Sequence, residues 1–249
     1  TFNNGKLNGK WIYYSINGQI KQNVNYKNGY KDGNYIRYGD NNNTLSSRKY
    51  KNGNRHGKWI SYFNNGQQKY ERNYKNGSEH GKWISYYKTG QLKYNKSYNN
   101  GLDHGTSYIY YQNGQLEQLS NFVKGEKAGK WIYYYSDGKV WYEKNYKYAI
   151  EHGQYVEYYQ NGQIKSNGLY QLGKKDGLWK VYYQNGNVLE KVNYNNGYYD
   201  GENITYHSNG KVKTLGFWIN GKKDNLWTWY HMNGQLEEEL SYKDGEISW

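Results

Sequence analysis

The stretch Arg55-His56-Gly57-Lys58-Trp59-Ile60-Ser61-Tyr62-Phe63-Asn64-Asn65-Gly66-Gln67 decides the fold. Trp59 to Phe63 is rich in residues that favour strands. Asn65-Gly66 follows at once, and Asn-Gly is the strongest short hairpin signal, because both central residues of a type I′ turn need positive φ. A second strand runs from Gln67 to Tyr74. A longer glycine-containing loop, Asn76 to Gly81, leads into another copy of the same pattern. Pairing about the Asn-Gly turn predicts Trp59 opposite Arg72, Ser61 opposite Tyr70 and Phe63 opposite Gln68. Alternation then puts Trp59, Phe63 and the strand-end Tyr74 on one aromatic face, with Ile60 and Tyr62 on a mixed face beside Lys69 and Glu71.

Working outward, the pattern returns every 24 residues without slippage. Gly9, Gly33, Gly57, Gly81, Gly105, Gly129, Gly153, Gly177 and Gly201 head successive copies, and Asn225 heads the tenth. Five residues after each stands tyrosine: Tyr14, Tyr38, Tyr62, Tyr86, Tyr110, Tyr134, Tyr158, Tyr182, Tyr206 and Tyr230. A fixed period of this length means stacked supersecondary units. The fold expected is all-β: an elongated array of about ten 24-residue antiparallel β-hairpins forming a twisted open sheet or solenoid. A single array covers residues 1–249, with a partial C-terminal cap. Turn glycines every dozen residues or so leave no room for helices. The chain has 35 tyrosines, 10 tryptophans, no proline and no cysteine. Burial must come from rows of aromatic rings, and disulfides and cysteine-ligated metals are excluded. The all-Tyr column reads as packing.

Charge is uneven. Residues 1–125 hold 19 Lys+Arg and 6 Asp+Glu, while residues 126–249 hold 15 of each, so the whole net charge of +13 lies in the first half. Lys10, Lys58 and Lys82 share one column, and Lys27, Lys51 and Lys75 another. Such ladders fit an acidic protein face or an anionic polymer. Repeat six instead places Tyr133, Trp141 and Tyr142 together, where other copies carry mostly polar residues, which makes them the candidate aromatic docking residues.

Signs of chemistry are sparse. There is no serine elbow, no phosphate-cradling loop before a helix and no metalloprotease helix, so no catalytic residue, cofactor or metal ligand is expected. His56, His80, His104 and His152 share a loop column with Asp32, Asp176, Asp200 and Asp224, which points to hydrogen bonding with the loop backbone. No apolar run is long enough for a membrane-spanning helix. The chain starts at Thr1, which reads as a trimmed or processed N-terminus, and the compartment stays open between cytoplasm and cell surface.

A resemblance to a known family covers the whole chain and is best seen in two copies: Gly81-Lys82-Trp83-Ile84-Ser85-Tyr86-Tyr87-Lys88-Thr89-Gly90-Gln91-Leu92-Lys93 and Gly153-Gln154-Tyr155-Val156-Glu157-Tyr158-Tyr159-Gln160-Asn161-Gly162-Gln163-Ile164-Lys165. The pattern resembles the bacterial variant of the MORN repeat, also known as YwqK-family antitoxin-type repeats. The second, fifth, ninth and tenth copies depart from it, at Asp40 to Thr44, Ser107, Asn203 and Asn225. The resemblance implies a non-enzymatic scaffold, with lipid-headgroup association or toxin neutralisation as family roles, and transfers no site residues. Choline- and glucan-binding wall repeats share Gly-Lys-Trp-Tyr-Tyr, but are shorter and carry a Met-x-Thr segment that is missing here. The expected function is a binding module for a protein partner. Extracellular glycan binding, a structural fibre subunit joined end to end, and nucleic-acid binding follow in that order.

Overall fold

A computed structural model describes residues 1–248. It is all-β, and no helix occurs among the described residues. The chain divides into two compact units, Thr1–Glu126 and Lys127–Trp249. In each unit the strands form an antiparallel meander, each pairing with its neighbours along the chain. No register among the described residues closes either sheet on itself.

The third repeat shows how the sequence makes the hairpin. Strands Gly57–Tyr62 and Gln68–Lys75 pair with Trp59 opposite Arg72 and Ser61 opposite Tyr70, as predicted. The turn differs from the expectation. Only Gly66 takes a left-handed φ, at 82°, and Asn65 does not. Gly66 N donates to Phe63 O at 2.9 Å and Phe63 N to Gln67 O at 2.8 Å. This is a type I turn closed by a glycine bulge. The Asn65 side-chain oxygen accepts from Gln67 N at 3.1 Å, which is why Asn or Asp precedes the glycine. The bulge shifts the register so that Tyr62, not Phe63, lies opposite Gln68. Repeat two lacks Asn-Gly-Gln yet keeps the turn, with Asn42 at φ 56° in the glycine's place.

The type I′ turn sits at the other end. Asn76 and Gly77 both have positive φ, 51° and 93°, between the paired residues Lys75 and Ser78. The expected longer loop is therefore a two-residue turn. It leads directly into strand Ser78–Tyr86, which bulges between Glu79 and Trp83 at Gly81.

Side-chain burial is one-sided. In the first unit the aromatic face is a ladder of rings, with centroids 5.1 Å apart for Trp59–Tyr74, 5.4 Å for Tyr74–Trp83 and 4.8 Å for Trp83–Tyr98. In the second unit Trp131, Trp179 and Trp227 are each under 5% exposed. The all-Tyr column lies on the reverse face and is only half-buried, with Tyr14 as exposed as 60%, so the Trp and strand-end Tyr columns form the core instead. Repeat nine repairs its missing tryptophan. Asn203 is buried and donates to Glu190 Oε1 at 2.9 Å, while Tyr199 slots between Tyr194 and Trp218 at 4.9 and 5.1 Å.

Successive hairpins are also stapled from the reverse face. The Tyr87 hydroxyl donates to Tyr110 O at 2.7 Å in the first unit. Tyr135, Tyr159 and Tyr183 do the same to Tyr158, Tyr182 and Tyr206 in the second, at 2.7–2.9 Å.

Candidate binding surface

Strand alternation sorts the candidate residues by face. Lys10, Lys58 and Lys82 adjoin a ladder Trp in sequence, and Lys27, Lys51 and Lys75 adjoin a ladder Tyr. All six therefore stand on the reverse face of the first unit. All six are exposed. Only Lys58 is in an ion pair among the described residues, with Glu71 at 2.8 Å. Lys27, Lys51 and Lys75 repeat about every 10 Å, two strands apart, as do Lys58 and Lys82, whereas Asn34 interrupts their column after Lys10.

The structure brings Tyr133, Trp141 and Tyr142 into contact in the second unit. Tyr133 and Tyr142 are cross-strand partners and stack at 4.4 Å, so each covers one face of the other. Burial pushes the Tyr133 hydroxyl up from 10.0 to about 12, with the neighbouring Tyr142 adding to the rise. Burial likewise raises Tyr142, against the pull of Lys144. Trp141 meets Tyr142 edge-on at 4.9 Å and stacks on Tyr135 at 5.8 Å, yet stays 41% exposed. It is the accessible member of the three. Two other aromatics that the repeat does not require, Tyr148 and Tyr198, protrude from type I′ turns at 78% and 62% exposure.

Sequence reasoning placed Arg72 opposite Trp59 but missed the lysines on the aromatic face. Lys31 Nζ lies 4.9 Å from the Tyr35 ring in the first unit, and Lys175 and Lys223 lie 4.2 and 4.4 Å from Trp179 and Trp227 in the second. In the second unit Lys144 joins Glu151 at 2.7 Å beside Tyr146. The signal was a basic residue fifteen or twenty-two places after the repeat glycine, but its facing depends on the bulge at each repeat glycine.

The loop column braces a turn at three of its four Asp positions. Asp32 accepts from Asn52 N at 3.0 Å, Asp200 from Asn220 N at 3.4 Å and Asp224 from Asp244 N at 3.3 Å, each fixing the next type I′ turn. The Asp244 amide, helped by Lys243, holds the buried Asp224 carboxyl below its usual range. The histidines of that column leave Nδ1 of His56, His80 and His152 buried without a hydrogen-bond partner. Among the described residues no three His, Asp or Glu side chains converge as a metal site would require. A shallow groove of about 810 Å³ lies on the reverse face of the second unit, floored by Ile204, Val212, Leu215 and Tyr230.

No curated protein matches the chain. Solved structures that align with 96% of it include the TcdB2-TccC3-Cdc42 complex, at 12% identity and a TM-score of 0.23, and TcdB2-TccC3, at 11% and 0.22. The chain spans 16% and 17% of those chains, and a likeness of that size says nothing about fold or function. The sequence itself is more informative. Nine segments, residues 7–28, 55–76, 79–100, 103–124, 127–148, 151–172, 175–196, 199–220 and 223–244, match the MORN repeat variant. Residues 29–54, left unmatched, contain the repeat whose turn departs from Asn-Gly-Gln. With most of its length matched repeat by repeat, the chain belongs to the MORN repeat variant family.

Proposed function

We propose that this chain is a non-enzymatic repeat scaffold that binds a protein partner bearing an acidic face. The observation that carries the reading is the pair of lysine columns, Lys10/Lys58/Lys82 and Lys27/Lys51/Lys75, exposed on one face of the first unit and almost free of internal ion pairs. Ordered, same-sign charges steer encounter and favour an oppositely charged surface. Toxin neutralisation is the specific form that the family resemblance brings to mind, with the toxin as the acidic partner. The test is affinity capture from the native source, comparing the wild type with Lys27→Glu/Lys51→Glu/Lys75→Glu at low and moderate salt. Acidic proteins should be enriched by the wild type and lost from the variant, and salt should weaken their capture because exposed charges are screened beyond about 8 Å at physiological ionic strength. Identical captured sets from both proteins at both salt levels would refute the reading.

A glycan-binding role draws on one observation, the exposed Trp141, Tyr148 and Tyr198 of the second unit. Retention of a defined oligosaccharide on a glycan array, abolished by Trp141→Ala, would establish it in place of the first.

A further inference from the structure

All four arginines of the chain, Arg37, Arg48, Arg55 and Arg72, fall between residues 37 and 72, and every other basic residue is lysine. The registers put all four on the aromatic face of the first unit. Arg48 lies opposite Tyr35, Arg55 opposite Tyr50, Arg72 opposite Trp59, and Arg37 two residues beyond Tyr35 on the same strand. The guanidinium groups of three of them lie over rings of that face. Arg48 is 5.1 Å from Trp59, Arg55 is 4.5 Å from Tyr74, and Arg72 is 4.3 Å from Tyr70 and 4.6 Å from Trp83.

These groups are held in place without being neutralised. Arg48 also lies 5.6 Å from the Tyr35 ring, so it and Arg72 each meet two rings. Nε of Arg48 and of Arg72 is buried without a hydrogen-bond partner. None of the four arginines is in an ion pair among the described residues, although Glu79 and Asp103 stand on the same face one and two repeats on. In the second unit one aromatic-face cation is answered by a carboxylate, Lys144 by Glu151 at 2.7 Å. A guanidinium plane fixed on a ring presents a rigid fork of N–H donors that matches a carboxylate in a way a lysine cannot.

We propose that the arginine face between residues 30 and 98 is the docking site for an extended, carboxylate-rich segment of the protein partner. This deepens the function proposed above and rests on it. Same-column arginines, Arg48 and Arg72, are one repeat apart, about 10 Å across two strands, and an extended chain in the polyproline II conformation rises about 3.1 Å per residue with three residues per turn, so every third side chain points the same way. A segment with an acidic residue at every third position therefore meets the arginines in step. Nucleic acid fits less well, because the rings that would stack on bases already lie under guanidinium groups.

The test uses the full chain and follows the fluorescence of the ladder tryptophans, with Trp59 and Trp83 under Arg48 and Arg72. The main probe is a synthetic peptide with Glu at every third position between Thr and Gly. A peptide of equal charge with Glu at every second position, a single-stranded oligonucleotide and a sulfated polysaccharide serve as comparators. The every-third peptide should bind more tightly than all three. Arg48→Lys/Arg72→Lys keeps the charge and should weaken its binding by about tenfold, as the loss of bidentate geometry requires, with the melting temperature confirming the fold. Equal binding by that variant, or tighter binding of the oligonucleotide or polysaccharide, would overturn the proposal. The captured partner separates the two readings. If the lysine-column variant loses it and the Arg-to-Lys variant does not, the partner reading stands and this site falls. If neither loses it, both fall.

Discussion

At the scale of single residues, Ala149 is the clearest departure from the repeat. It occupies the second position of a type I′ turn at φ 62°, where the equivalent residue of the other turns is glycine. A side chain in this region costs roughly 1–2 kcal/mol, and the exposed Tyr148 before it, at φ 53°, adds to that strain. Ala149→Gly should raise stability by about 1 kcal/mol, partly offset by the entropy of the unfolded chain; urea unfolding checks it, and an unchanged or lower midpoint would show that the turn is unstrained. Gly216 makes the opposite case. A Cβ there would sit 2.2 Å from the Trp227 ring, and Trp227 is buried to 3% exposure. Gly216→Ala should cost about 1–3 kcal/mol by overpacking, read in the same experiment. The requirement for glycine at 168 and 216 was hidden in the sequence, because it depends on which cross-strand partner is a tryptophan.

At the scale of the element, most of the hairpin was legible. Period, strand positions and the Trp59–Arg72 pairing all follow from the spacing of Trp, Asn-Gly and Tyr. The turn type was not. Asn-Gly suits both a type I′ turn and a type I turn with a glycine bulge, and the hydrogen bond from Gln67 N to the Asn65 side chain decides between them. The inter-repeat staple was missed for a related reason, since the tyrosine that makes it lies just past the bulge and its direction cannot be read from simple alternation. Tyr159→Phe removes the hydroxyl that meets Tyr182 O at 2.7 Å. It should destabilise by about 1 kcal/mol, the usual net value of one hydrogen bond; a loss indistinguishable from zero would mean that water replaces the staple without cost.

At the scale of the whole molecule, the candidate site was legible in part. The lysine columns and their exposure follow from the repeat, whereas the arginine face needed the register on both sides of each bulge. The ring ladder gives the chain a pH signature. Burial raises Tyr98 and Tyr133 from 10.0 to about 12. A raised folded-state value means that their contribution to stability is intact below pH 10 and is lost as pH climbs from 10 toward 12. Absorbance titration should show a late-ionising tyrosine class that vanishes on unfolding; a single transition near pH 10 would contradict a buried ladder. The most direct test of the function is the affinity of the captured partner for the full chain and two variants. Lys27→Glu/Lys51→Glu/Lys75→Glu should weaken binding by more than about tenfold, which is 1.4 kcal/mol, while Tyr133→Ala/Trp141→Ala/Tyr142→Ala, if still folded, should bind as the wild type does. Loss of binding in the aromatic variant, with the lysine variant unaffected, would contradict a charge-guided partner site on the first unit.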